Sequence, residues 1–158
     1  MIKGVFAINF AINFLRIIIG WHLLYEGLAK FFTPGWSSLA YLLDSGGPLA
    51  GIFLTIADSP WLVAVVDFIN IWCLIIIGLG LILGLGVRTV SLAGLILLAM
   101  YYLSHPPLPG IEYQLSEYSK GLIVNQVLIE SAGLLIIFFS AVDAHWSIER
   151  LMRNRIKE

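Results

Sequence analysis

Apolar residues dominate this chain in long runs, and the few polar residues inside them recur at helical rather than alternating spacing. The first run extends from Asn9 to Phe32, long enough at about 1.5 Å per residue to cross a bilayer. At about 100° per residue, Asn9, Asn13, Arg16, Gly20, Gly27 and Lys30 share one side, with Glu26 at its margin. Phe14, Ile18, Trp21, Tyr25 and Phe32 occupy the other. This predicts a helix with one face toward neighbouring helices and one toward lipid, the glycines letting a neighbour approach closely. His22 lies off the polar face, on its flank.

Thr33-Pro34-Gly35 ends the run, and residues 36–58 are too interrupted to span. Trp36, Leu39, Tyr41, Leu42 and Leu43 predict a short amphipathic helix, Ser45 to Pro48 a break, and Leu49 to Ala57 a second short helix. Both are expected at the membrane interface, or as a re-entrant pair. Ser59-Pro60 reads as an N-cap with proline at the first helical position, opening a second span to about Leu85. Asp67, Asn70, Leu74 and Gly78 share a side of it. After a turn at residues 84–87, Arg88 begins a third span to Ser104. Its stripe is Ser91, Gly94, Leu98, Tyr101 and His105, and Pro106, Pro107 and Pro109 stop it. A loop with Glu112, Tyr113, Glu117 and Tyr118 leads to a fourth span, from about Lys120 to Val142, carrying Asn125, Gln126, Glu130 and Gly133. The expectation is an all-α membrane protein of one domain. It is a four-helix transmembrane bundle with spans near 9–32, 60–85, 88–104 and 120–142, and short interfacial helices in the first outer loop.

Composition agrees with that class. Of 158 residues, 59% are hydrophobic and only 12% charged, about half the charge of an ordinary soluble domain. Mean hydropathy is +0.94. The net charge of −1 supplies no basic field for nucleic acid. Cys73, the single cysteine, excludes an intrachain disulfide or CxxC pair. The first run is too long and too charged for a signal peptide and is expected to be retained. Lys3, Arg88 and the basic residues Arg150, Arg153, Arg155 and Lys157 of a tail over 143–158 fall on one side, against Lys30 and Lys120 on the other. That bias places both termini in the cytoplasm of a cell's inner membrane, with the tail resting on anionic lipid.

The charges inside the spans carry the functional expectation, because ionisable groups survive there where they pair or line a pathway. Counted from the helix ends, Glu26, Lys30, Asp67, Asn70, Tyr101, His105, Asn125, Gln126 and Glu130 fall at one level in the outer half. A polar chamber roofed by residues 36–58 satisfies them all. Glu26, Glu130 and Asp67 are the candidate proton-exchanging, catalytic carboxylates. Arg16, Lys30, Asn70, Tyr101, His105, Asn125 and Gln126 are the candidate ligand-binding groups, although Arg16 sits nearer the inner end. The competing account is a structural ion-pair network that locks the first helix in place, with Asp67 a partner for Lys30 or Arg16. His22 and His105 at comparable depth invite a haem, but no haem, flavin, iron–sulfur or metal-site motif accompanies them.

Arg16, Gly20, Gly27 and Lys30 match the R-x₃-G-x₆-G-x₂-K signature in the first helix of the DoxX family. Gly47-Pro48, Pro60-Trp61, Ile77 to Gly84, Arg88, Tyr101-Tyr-Leu, Pro106-Pro107 and Asn125-x₂-Leu-Ile-Glu130 resemble its DoxD-like branch in type and order. That resemblance implies the small subunit of thiosulfate:quinone oxidoreductase. The chain would pass electrons from a small reduced compound, such as a sulfur species, to quinone. Membrane lipid, quinone and a second subunit or second copy would be its partners. The wider superfamily also contains assembly chaperones and cargo receptors, so a non-enzymatic scaffold is the alternative.

Overall fold

A chain this apolar has no water along most of its length to satisfy backbone amides and carbonyls, and helices satisfy them internally. The computed structural model describes residues 2–108, 110–111, 113–115 and 123–140, with side chains from Val5 onward. They form α1 (Ile2–Phe32), α2 (Leu39–Leu43), α3 (Ala50–Ala57), α4 (Pro60–Leu83), α5 (Val87–Ser104) and α6 (Gln126–Ser140), with no strand among the described residues. The expected basic tail, the ends of the fourth span at 120–122 and 141–142, and Glu112, Glu117 and Tyr118 lie outside the described residues.

Among the described residues, three helices are long and apolar enough to cross a membrane, over Val5–Phe32, Pro60–Leu83 and Val87–Ser104, which points to a multi-pass membrane protein. The fourth, α6, is apolar and has 15 described residues, about 22 Å of helix. Its helical backbone starts at Gln126 rather than near Lys120. Asn125 Oδ1 accepts the amide of Leu128 at 3.0 Å, a side-chain cap that ends the helix there, and Ile123 just before it has φ 64°. A β-branched residue in that left-handed region marks a backbone held by its surroundings. The amide of Ile123 donates to Pro107 O at 3.4 Å, and its carbonyl accepts from the Tyr102 hydroxyl at 2.9 Å.

α1, α4, α5 and α6 share one core, with Leu23, Leu74, Leu81, Leu98, Leu134 and Ile137 buried in it. Between membrane helices, packing has to replace the hydrophobic drive. α1 and α4 accordingly meet at small residues: a Cβ on Gly20 would lie 2.9 Å from Leu81 Cβ, and one on Gly27 would lie 2.8 Å from Ile75 Cγ1. The opposite face of α1, with Phe14, Ile18, Trp21, Tyr25 and Phe32, is exposed as its periodicity predicts for a lipid-facing side. Gly84 at φ 69° and Gly86 at φ 53° make the tight turn between α4 and α5.

α2 and α3 form the short helical pieces expected between the first two spans. Leu42 of α2, Phe53 of α3 and Val63 of α4 make a second, smaller core that fastens them to the loop end of the long helices. Polar ties hold the remainder. Gly46 donates to Ser104 O at 3.0 Å, the Ser45 and Ser104 hydroxyls lie 2.6 Å apart, and Asp44 accepts the amides of Gln114 and Leu115 at 3.1 and 3.0 Å.

Candidate functional site

Beneath this roof lies a cavity of about 330 Å³. α1 contributes His22, Leu23, Glu26 and Lys30; the segment entering α2 contributes Trp36, Ser37 and Ser38, and α2 itself Ala40 and Tyr41. Asn70 and Leu74 come from α4, Leu98 and Tyr101 from α5, and His105 from its C-terminal cap. Gln126, Val127 and Glu130 of α6, with Asn125 and Leu115, complete the wall.

The polar groups form separate clusters on different helix pairs. On α1, Lys30 Nζ lies 2.6 Å from Glu26 Oε2, one helical turn away, and 5.8 Å from the centre of the Trp36 ring. Between α1 and α6, His22 Nε2 lies 3.2 Å from Glu130 Oε1, and Gln126 Nε2 donates to the same oxygen at 3.0 Å. Gln126 Nε2 is also 3.2 Å from His22 Nε2. Between α4 and α5, the Tyr101 hydroxyl donates to Asn70 Oδ1.

His105 joins the cavity to the roof. Its ring is packed between Tyr41, at 3.9 Å between centroids, and Tyr113, at 4.8 Å. Nδ1 lies 3.0 Å from Ser104 Oγ, whereas Nε2 is 3.7 Å from Asp44 Oδ2, beyond a hydrogen bond. Burial lowers the His105 pKa from its ordinary range, partly offset by the Asp44 carboxylate. Burial, then the charge of Asp44, raises that of Tyr113, whose hydroxyl donates to Pro106 O at 2.9 Å. Two buried atoms of lining residues, His105 Nε2 and Ser38 Oγ, have no hydrogen-bond partner among the described residues.

Of the residues singled out in the sequence, Glu26, Lys30, Asn70, Tyr101, His105, Asn125, Gln126 and Glu130 come together around this cavity. Asp67 does not line it. Its Oδ1 accepts the backbone amide of Ser38 at 2.7 Å, which pins the roof to α4 and gives the carboxylate a structural partner rather than an open face. Arg16 does not line it either: it is buried, ten residues before Glu26 and so about 15 Å lower along α1. Asn125 both borders the cavity and caps α6. His22 is the residue that the polar face of α1 leaves out. The signal for it is its step of four to Glu26 and again to Lys30, a second stripe beside the first.

Compared with known proteins, residues 11–106 match the DoxX family, more than half of the chain. The chain belongs to the DoxX family. The match takes in most of α1 and all of α2 to α5, with the cavity residues from His22 to His105, and ends before α6. No curated protein and no solved structure matches this DoxX chain.

Proposed function

We propose that this DoxX protein is the membrane subunit of a quinone-linked oxidoreductase of the DoxD-like branch. In this reading α6 crosses the membrane with α1, α4 and α5 as a four-helix bundle, both termini are cytoplasmic, and the cavity receives the quinone headgroup from the outer half of an inner membrane. The observation that carries it is a cavity lined by aromatic rings, with hydrogen-bonding groups on different helix pairs and two buried polar atoms without a hydrogen-bond partner among the described residues. Buried polar atoms are almost always satisfied, so His105 Nε2 and Ser38 Oγ are suited to a ligand that brings its own polar atoms. A planar ring with carbonyl oxygens on opposite edges fits such a lining.

When bound, a quinone takes up two electrons and two protons and leaves as quinol. The electrons come from a small reduced compound, such as a sulfur species, directly or through a second subunit. The protein's own part is positioning and protons. Tyr101, held by Asn70, and Trp36 orient a ring in the cavity. Glu130 with His22 and Gln126 holds a proton at Oε1 or Nε2, and Glu26 is bonded by Lys30.

The test is to purify the protein with and without whatever co-purifies, extract it for bound quinone, and assay quinone reduction with thiosulfate as donor. Bound quinone together with donor-dependent reduction is the expected result. No bound quinone and no turnover in either preparation would overturn the proposal and leave a scaffold or assembly chaperone.

A further inference from the structure

α1 and α6 are sealed at one level and only bridged at the next. Towards the middle of α6, a Cβ on Gly133 would lie 2.6 Å from Ile19 Cδ1, so the helices touch with no space between them. Seven residues earlier, at Gln126, about 10 Å along the helix, contact passes through long polar side chains: His22 reaches Glu130 and Gln126 at 3.2 Å each. These side chains line the cavity and keep accessible surface. The His22 side chain is 36% exposed and Gln126 is exposed. Among the described residues, these side chains are what bridges α1 and α6 here.

What flanks that bridge is apolar. Ile18 and Tyr25 flank His22 on α1, and Ile123, Val124 and Ile129 flank Gln126, all of them exposed. His22 is eight residues below Lys30, about 12 Å along α1, which puts the bridge at the depth of the hydrocarbon core. Among the described residues, 123–125 before α6 are not helical. An imidazole and a carboxamide on a lipid-facing seam are expensive to keep there and mark a pathway.

We infer that the ligand of this cavity arrives sideways from the bilayer, between α1 and α6, through a portal latched by His22 against Gln126 and Glu130. This route rests on the quinone reading of the cavity and adds the ligand class. The ligand is an amphiphile whose head displaces the latch and sits inside, while its hydrocarbon tail stays in the seam between Ile18 and Ile129. The tail contacts lipid-facing side chains and makes no demand on the cavity volume. Side-chain rotation at His22 and Gln126 opens the seam without moving a helix.

The test uses the full chain in phosphatidylcholine liposomes and two probes, a benzoquinone with a decyl tail ending in a diazirine and its tail-less analogue. Illumination is expected to label residues 18–25 or 123–129. Ile129→Trp, which thickens one rim outside the cavity, is expected to slow binding of the tailed probe about tenfold and leave the tail-less one unchanged. Ile18→Trp on the other rim acts in the same way, and Ile76→Trp on the lipid face of α4 has no effect. Labelling confined to α4 or α5, or equal binding of the tailed probe to all three variants and the wild type, overturns the portal while leaving the cavity as a quinone site. Failure of the tail-less quinone to bind the wild type overturns the quinone reading itself, and the portal with it.

Discussion

Gly78 and Gly20 meet backbone to backbone: a Cβ on Gly78 would lie 2.7 Å from the carbonyl oxygen of Gly20 and 2.6 Å from the amide nitrogen of Leu24. Backbone atoms cannot rotate aside, so any side chain at position 78 has to push α4 away from α1. Gly78→Ala is expected to lose about 1–3 kcal/mol, the usual range for overpacking. Gly51 in α3 has nothing within 4 Å of an added Cβ, and Gly51→Ala should be neutral or slightly stabilising. Thermal unfolding in detergent compares the two. Equal effects would mean that the α1–α4 approach is looser than described.

A structural and a catalytic role for Asp67 are separable by substitution. Its bond to the Ser38 amide needs only an acceptor oxygen, which asparagine supplies and alanine does not. Asp67→Ala should loosen the roof by about 1–3 kcal/mol, whereas Asp67→Asn should retain most of the stability and the quinone-reduction rate. Hydrogen exchange at Ser38 together with turnover reads both. A large loss of turnover in Asp67→Asn with normal exchange would return Asp67 to the proton chemistry.

The faces of the long helices were readable because side chains in a packed helix repeat every 3.6 residues, and polar or small residues at that period have one place to go. Arg16, Gly20 and Gly27 on α1, and Ser91, Gly94 and Leu98 on α5, are buried on the faces their spacing predicts. The two short helices before α4 were readable from the break between Ser45 and Pro48. Three features were not. The partner of Asp67 is a backbone amide 29 residues away, and a backbone donor leaves no mark in a sequence. Asn125 looks like one more polar residue of a span until its side chain is seen to cap α6. His22 is displaced from the polar face because steps of four drift about 40° per step around the helix, and its importance comes from Glu130 on a distant segment.

The Asn70–Tyr101 pair and the His22–Gln126–Glu130 group should respond differently to substitution. Tyr101→Phe keeps the ring but breaks the bond to Asn70 that holds it, so quinone binding should weaken about tenfold, worth about 1.4 kcal/mol. Glu130→Gln keeps an acceptor for Gln126 but has no exchangeable carboxyl proton, so turnover should fall far more than binding. Steady-state kinetics with equilibrium binding distinguishes them. Equal losses of binding and rate in both variants would assign both clusters to packing.

Acid should loosen the roof through His105. The buried imidazole is packed by Tyr41 and Tyr113 and faced by Asp44, and burial holds its pKa below the ordinary 6.5. In the unfolded chain the imidazole takes up its proton as pH falls through about 6.5, while the folded protein resists until its lower value is reached. The unfolded state therefore binds more protons in that window, and stability declines as pH falls across it. The contribution of neutral His105 is complete above 6.5 and lost once pH passes below the folded pKa. Protection of the amides of residues 36–48 and 105–108, taken relative to the intrinsic exchange rate at each pH, should fall as pH drops below about 6.5 in the wild type. His105→Gln, which has no proton to gain, should show a flatter profile over the same range. An identical profile in both proteins would assign the acid response to Asp44 or another group of the roof.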